Sequence, residues 1–99
     1  MQYVVLLEDE PSKAEMRPKH QADHAAYVAT LLGPLRAAGP LTDPKTGGSA
    51  GGIWIVEAGS PEEVQKMLEA DPFYKVGLRK SIRILQWKQV FADGKRLPA

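Results

Sequence analysis

GGIWIVEAGSPEEVQKMLEADP, residues 51–72, is the stretch whose reading decides the fold. Its first eight residues are rich in β-branched and aromatic side chains, with Ile53 and Ile55 alternating against Trp54 and Val56, as a strand requires. Ser60 is an N-cap, Pro61 suits the first helical position, and Glu63 completes a capping box, so a helix starts there. Val64, Met67 and Leu68 form its apolar stripe. Asp71-Pro72 ends it, because the residue before proline avoids the helical region. A turn or short helical piece is expected over about 72–80, then a long strand from Ser81 to Phe91 in which Ile82, Ile84 and Gln86 alternate with Arg83, Leu85 and Trp87.

Towards the N-terminus, Tyr3-Val4-Val5-Leu6-Leu7 reads as a buried strand closed by Glu8-Asp9-Glu10 and Pro11. A loop follows over 9–16, and a helix runs from about residue 18 into the low thirties, with Pro18 near its start. Gly33-Pro34 either ends this helix or bends it onward to Ala38. Gly39 to Asp43 is expected as a short strand, 43–49 as a loop, and Ala92–Ala99 as a polar tail leaving the core.

The order strand, helix, strand, strand, helix, strand is the βαββαβ pattern of an α+β, ferredoxin-like domain. Both helices would cover one face of a four-stranded antiparallel sheet, and a two-fold homodimer would cover the other. Trp54, Val56, Leu85 and Trp87 are the candidates for that second apolar face.

Ninety-nine residues suit a single domain spanning 1–99. A net charge of +1 gives no electrostatic reason for a nucleic-acid partner. There is no cysteine for disulfide or thiolate chemistry, and no apolar run approaches the roughly 20 residues needed to span a bilayer. The N-terminus carries no basic region leading into a hydrophobic signal segment, so the expectation is a cytoplasmic protein without membrane association.

The two imidazoles, His20 and His24, lie four residues apart and would share one side of the first helix, flanking a stripe of Ala25, Val28, Ala29, Leu32 and Leu35. Imidazole titrates near neutral pH, and a carboxylate on one nitrogen raises the basicity of the other, which suits acid–base chemistry. The alternative is that both simply flank packed apolar residues. Two histidines with Asp71 can chelate a metal, but Gln21 follows His20 where the zinc-protease motif has glutamate, and no metal or other cofactor is expected. Asp71 can also cap the turn after it. Ser81 lacks a nucleophile elbow, and Gly47 to Gly52 lacks a phosphate-loop signature and reads as a hairpin connection. Arg79, Lys80 and Arg83 form a basic cluster that can attract an anion or face solvent.

Nearly the whole chain resembles the YciI-like (YCII-related domain) family. The resemblance rests on QYVVLLEDE (2–10), RPKH (17–20), HAAY (24–27), AGPL (38–41), GGIWIVE (51–57), DPF (71–73), LRKSIRILQW (78–87) and VFADG (90–94). It implies a dimeric α/β barrel with a pocket between helices and sheet in each subunit, and a histidine and an aspartate as its polar working groups. At least one relative is similar to a dehydrochlorinase of a chlorinated hydroxyhydroquinone. The aspartate falls on Asp71 and the histidine on His20 or His24, making these three the catalytic candidates. Tyr27, Phe73 and Arg79 are the substrate-binding candidates. The expected function is an acid–base lyase or isomerase acting on a small aromatic or anionic molecule. The alternatives are a non-catalytic ligand-binding or regulatory dimer and a purely structural dimer module.

Overall fold

The computed structural model describes residues 1–98. Four long strands and three helices follow in the order β1 (Gln2–Asp9), α1 (Met16–Ala29), β2 (Leu35–Thr42), β3 (Ser49–Glu57), α2 (Pro61–Glu69), α3 (Pro72–Lys75) and β4 (Arg79–Gln86). A hairpin of β5 (Phe91–Ala92) and β6 (Lys95–Arg96) follows. The main sheet is antiparallel with strand order β2-β3-β1-β4, so β3 returns between β1 and β2, as in the split βαβ arrangement. The chain has a mixed α+β fold.

The register assigns the faces. Val5 lies opposite both Trp54 and Ile84, and Tyr3 opposite Val56, so these residues share the helix-covered side. Trp54 and Val56 are 2% and 0% exposed there, in one core with Tyr3, Val5, Leu7, Val64 and Leu68. This corrects the expectation that they belong to the second face: β3 enters the sheet with its even-numbered residues towards the helices. Leu85 and Trp87 do lie on the open side, which also carries Val4, Leu6, Ile53 and Ile55.

Ser60 caps α2 by accepting from the Glu63 N–H, while Glu63 reaches back to the N–H of Gly59. Helix α1 begins at Met16, two residues earlier than expected, with Pro18 still in the first turn, where helix N–H groups have no intrahelical acceptor. It stops at Ala29. Gly33, with φ of 107°, reverses the chain, and Leu35 to Ala38 are strand rather than a continuation of the helix. Strand β4 ends at Gln86, short of the expected Phe91, and residues 92–96 of the expected polar tail join Phe91 in the hairpin, turned by Asp93 and Gly94 at φ of 54° and 72°, both in the left-handed region that such tight turns demand, while Ala99 lies outside the described residues.

Two features prepare the site. A register shift in the β1–β4 pairing places Asp9 opposite Arg79, although Glu8 is opposite Ser81, so Lys80 is the extra residue of a bulge. Between α1 and the sheet, Ala25, Ala29, Ala38, Gly39 and Gly52 are too small to fill the gap. They leave a cavity of about 400 Å³.

Candidate active site

Asp71 is placed by its own local chemistry. It precedes proline, adopts extended backbone, and caps α3 by accepting the Phe73 N–H at 3.0 Å through Oδ1. Only 2% of it is exposed. His24, from the middle of α1, brings Nδ1 to 2.8 Å from Oδ1 and 3.0 Å from Oδ2 of the same carboxylate. With Nδ1–H donating to Asp71, Nε2 is the nitrogen left with a free lone pair. The imidazole also stacks on the buried Phe73 ring, with centroids 4.0 Å apart and planes 11° apart. Carboxylate and ring together fix its tautomer and orientation. Its remaining surface lines the cavity.

Two arginines join this end of the cavity. Arg17 donates through Nε and Nη2 to Oδ2 of Asp9, at 3.0 and 2.7 Å. Arg79 donates through Nη1 to Oδ1 of the same carboxylate at 3.0 Å, and its Nη2 lies 4.0 Å from Asp71 Oδ2. Both guanidinium carbons sit 5.2 Å from the Phe73 centroid, within cation–π range. Burial pushes Arg79 below the ordinary arginine value, Asp9 and Asp71 oppose that shift, and Arg17 reinforces it. The guanidinium stays cationic at neutral pH. The rest of the lining is largely apolar and includes Trp54, Val28, Leu32 and Pro40.

The structure brings together His24, Asp71, Phe73 and Arg79 of the six residues singled out from sequence. His20 and Tyr27 are elsewhere. Four residues turn a helix through about 400°, so His20 is offset from His24 by about 40°, away from the cavity. Its Nδ1 lies 3.9 Å from exposed Asp23 instead of near Asp71, which corrects the expected convergence of both imidazoles on one cleft. Tyr27, expected at the substrate, packs against the core and donates its hydroxyl to the Met67 carbonyl at 2.6 Å, tying α1 to α2. Burial, and secondarily the Asp71 charge, raises its pKa. Phe73 is fully buried, so it meets the site as the platform under His24 and not as cavity wall.

Asp9, Arg17, Gln21 and Trp54 complete the site and were not among the sequence candidates. Arg17, Gln21 and His24 are spaced i, i+4, i+7, the one signal that places all three along one side of α1. Among the described residues, no group of three or more His, Cys, Asp or Glu side chains gathers as metal ligands would. No helix among them is long and apolar enough to cross a membrane.

The protein YciI of Escherichia coli is 31% identical over 98 residues, covering 92% of this chain and all of that protein. The Emericella nidulans protein named "Derivative of benzaldehyde biosynthesis cluster protein C" is 35% identical over 81 residues, covering 78% of this chain and 82% of that one. The solved structure of 5-chloro-2-hydroxyhydroquinone dehydrochlorinase from Burkholderia phenoliruptrix, in complex with 2,5-dihydroxybenzoquinone, superimposes with a TM-score of 0.80 at 32% identity, covering 89% of this chain and 94% of that one. The family model described as the YCII-related domain matches residues 1–88, and the chain belongs to that family.

Proposed function

We propose that this protein is a small-molecule enzyme, a lyase or isomerase, in which His24 and Asp71 perform acid–base chemistry on a small aromatic or anionic compound held in the cavity beneath α1. The observation that carries the reading is the contact between His24 Nδ1 and the buried Asp71 carboxylate, on a ring whose other side lines a cavity of about 400 Å³. A cavity of that volume suits a one-ring compound. A structural neighbour that acts on a hydroxylated, chlorinated ring supports the same substrate class.

In this reading, Nε2 of His24 takes a proton from a ring hydroxyl or an activated carbon. The freed electron pair moves into the π system. For an elimination, the imidazolium returns the proton to the halogen-bearing ring carbon, and the halide then departs with its bonding pair as a second hydroxyl proton is lost to solvent; for an isomerisation, the proton is returned to another atom and nothing departs. Asp71 stabilises the imidazolium without taking its proton. Arg79 faces the substrate, and Phe73 holds the imidazole plane.

The open sheet face suggests its own partner. Val4, Leu6, Ile53, Ile55, Leu85 and Trp87 form one apolar surface, and we propose that a second copy of the chain covers it.

The test is to offer halogenated and unhalogenated hydroxyhydroquinones and to follow halide release and ring absorbance with wild type, His24→Gln and Asp71→Asn. Turnover lost in both folded variants supports the enzyme. Tight binding without turnover in wild type points instead to a ligand-binding module.

A further inference from the structure

We propose that Arg17 and Arg79, held apart and aimed by Asp9, form a paired-guanidinium seat for an acidic oxygen of the ligand, so that the cavity selects flat ring acids over neutral rings of the same shape. The inference rests on the cavity reading above and names the substrate class that the cavity takes.

The charge count is the first argument. Asp9 is shared between two guanidinium groups, Oδ2 with Arg17 and Oδ1 with Arg79, so this triad carries one positive charge more than it neutralises. Asp71, 4.0 Å from Arg79 Nη2, supports the cation by its charge, but its oxygens are engaged by the His24 imidazole and the Phe73 N–H and it takes no hydrogen bond from Arg79. The Arg79 side chain is only 6% exposed. A guanidinium this poorly hydrated gains from an anion that accepts from its remaining N–H groups.

Donor geometry is the second. A guanidinium has five N–H bonds in its plane. Among the described residues, Arg17 uses Nε and Nη2 on Asp9, which leaves Nη1, and Arg79 uses Nη1, which leaves Nη2 and Nε without a hydrogen-bond partner. Contact with the Phe73 ring fixes both groups through their cationic character and consumes no N–H donor. Both arginines line the same cavity as His24.

The third is the contrast within the cavity lining. Trp54, Val28, Leu32 and Pro40 offer flat and aliphatic surface with no charge, so a ligand whose ring packs there presents its acidic edge to the arginines and the adjoining ring atoms to His24. Carboxylates and the enolate or phenolate oxygens of acidic hydroxylated rings share this chemistry.

Calorimetry with three probes tests the seat: 2,5-dihydroxybenzoate, its uncharged amide 2,5-dihydroxybenzamide, and 2,5-dihydroxybenzoquinone as the ring-oxygen acid. The expected result is that at least one acid binds roughly tenfold or more tightly than the amide, the size of a charge-assisted hydrogen bond. Which acid prevails separates a carboxylate ligand from an enolate or phenolate ligand. Arg17→Gln removes that preference and leaves amide binding within about twofold, while Arg17→Lys restores part of it. Arg79→Gln behaves alike if circular dichroism shows it folded; Arg17 is decisive if it is not. Acids and amide binding equally, or Arg17→Gln keeping the preference, overturns the seat while leaving acid–base catalysis by His24 standing. None of the probes binding overturns the seat and the cavity reading together. Acid preference retained in His24→Gln without turnover in the wild type would sink the enzyme and keep the seat.

Discussion

His24 and Asp71, 47 residues apart in sequence, meet with Nδ1 at 2.8 Å from Oδ1 and 3.0 Å from Oδ2, and that one contact joins the middle of α1 to the N-cap of α3. The carboxylate serves both partners at once: it orients the imidazole and closes the first turn of α3 through the Phe73 N–H. Capping and chemistry, which compete as readings of Asp71 in the sequence, are compatible uses of one side chain.

The two histidines are therefore expected to separate cleanly in function. His24→Gln should lower kcat/KM by roughly 10²–10⁴, the range for loss of a general acid–base group, while His20→Gln should change it less than about twofold. Steady-state kinetics on the substrate found by the halide-release screen checks both. A large effect of His20→Gln would place a second imidazole in the reaction.

Replacing Asp71 tests the double role. Asp71→Ala removes a buried acceptor from two donors and should destabilise the fold by about 2–4 kcal/mol, whereas Asp71→Asn, which keeps an oxygen for the Phe73 N–H, should cost less. Urea unfolding of both variants gives the comparison. Equal losses would mean that the cap contributes nothing.

Tyr27 ties stability to alkaline pH. Its pKa is raised above the ordinary 10.0, chiefly by burial and secondarily by Asp71, so the folded state favours the neutral phenol. That contribution is complete below the unfolded value and is lost as pH rises towards the higher folded value. Tyr27→Phe should cost about 1 kcal/mol at pH 7 through the lost bond to Met67 and should flatten the decline above pH 10. Melting temperature against pH for the two proteins measures the difference.

Gly51 is the position where a side chain is least tolerable. At φ of 92°, a Cβ would lie 1.8 Å from the Leu7 carbonyl oxygen, so Gly51→Ala must displace backbone between β3 and β1. A loss of about 3 kcal/mol or more is expected. Gly33→Ala, also at positive φ but with nothing within 4 Å of its Cβ, is the control, and should cost only about 1–2 kcal/mol.

The proposed dimer is open to direct measurement. Light scattering at micromolar concentration should give twice the mass of the chain, and Ile55→Lys or Leu85→Lys on the open sheet face should shift it towards monomer or aggregate. A monomeric wild type defeats the proposal.

Element order was legible in the chain because it depends on local rules. The capping box at Ser60 and Glu63, the alternation in 53–56 and 82–87, and the proline after Asp71 each act within a few residues, and the structure has the corresponding elements. Asp71 and one of the two histidines were legible as candidates through their motifs and residue chemistry. Which face each strand presents was not, because alternation gives two sets of residues without saying which set meets the helices; Trp54 and Val56 fell on the buried side only once β3 was paired with β1.

The site's electrostatics were decided by tertiary structure alone. Simple alternation continued from Glu8 opposite Ser81 would set Lys80 against Asp9, and the bulge sets Arg79 there instead, giving Asp9 two guanidinium partners. The choice between His20 and His24 was likewise made by where α3 holds Asp71, since an angular offset of about 40° on α1 matters only when another element occupies one side. Local sequence determined which segments become strand and helix through backbone preferences and caps. Only the packing of distant segments decided which charged groups share a carboxylate, because those contacts depend on register and crossing geometry, which no local stretch of chain contains.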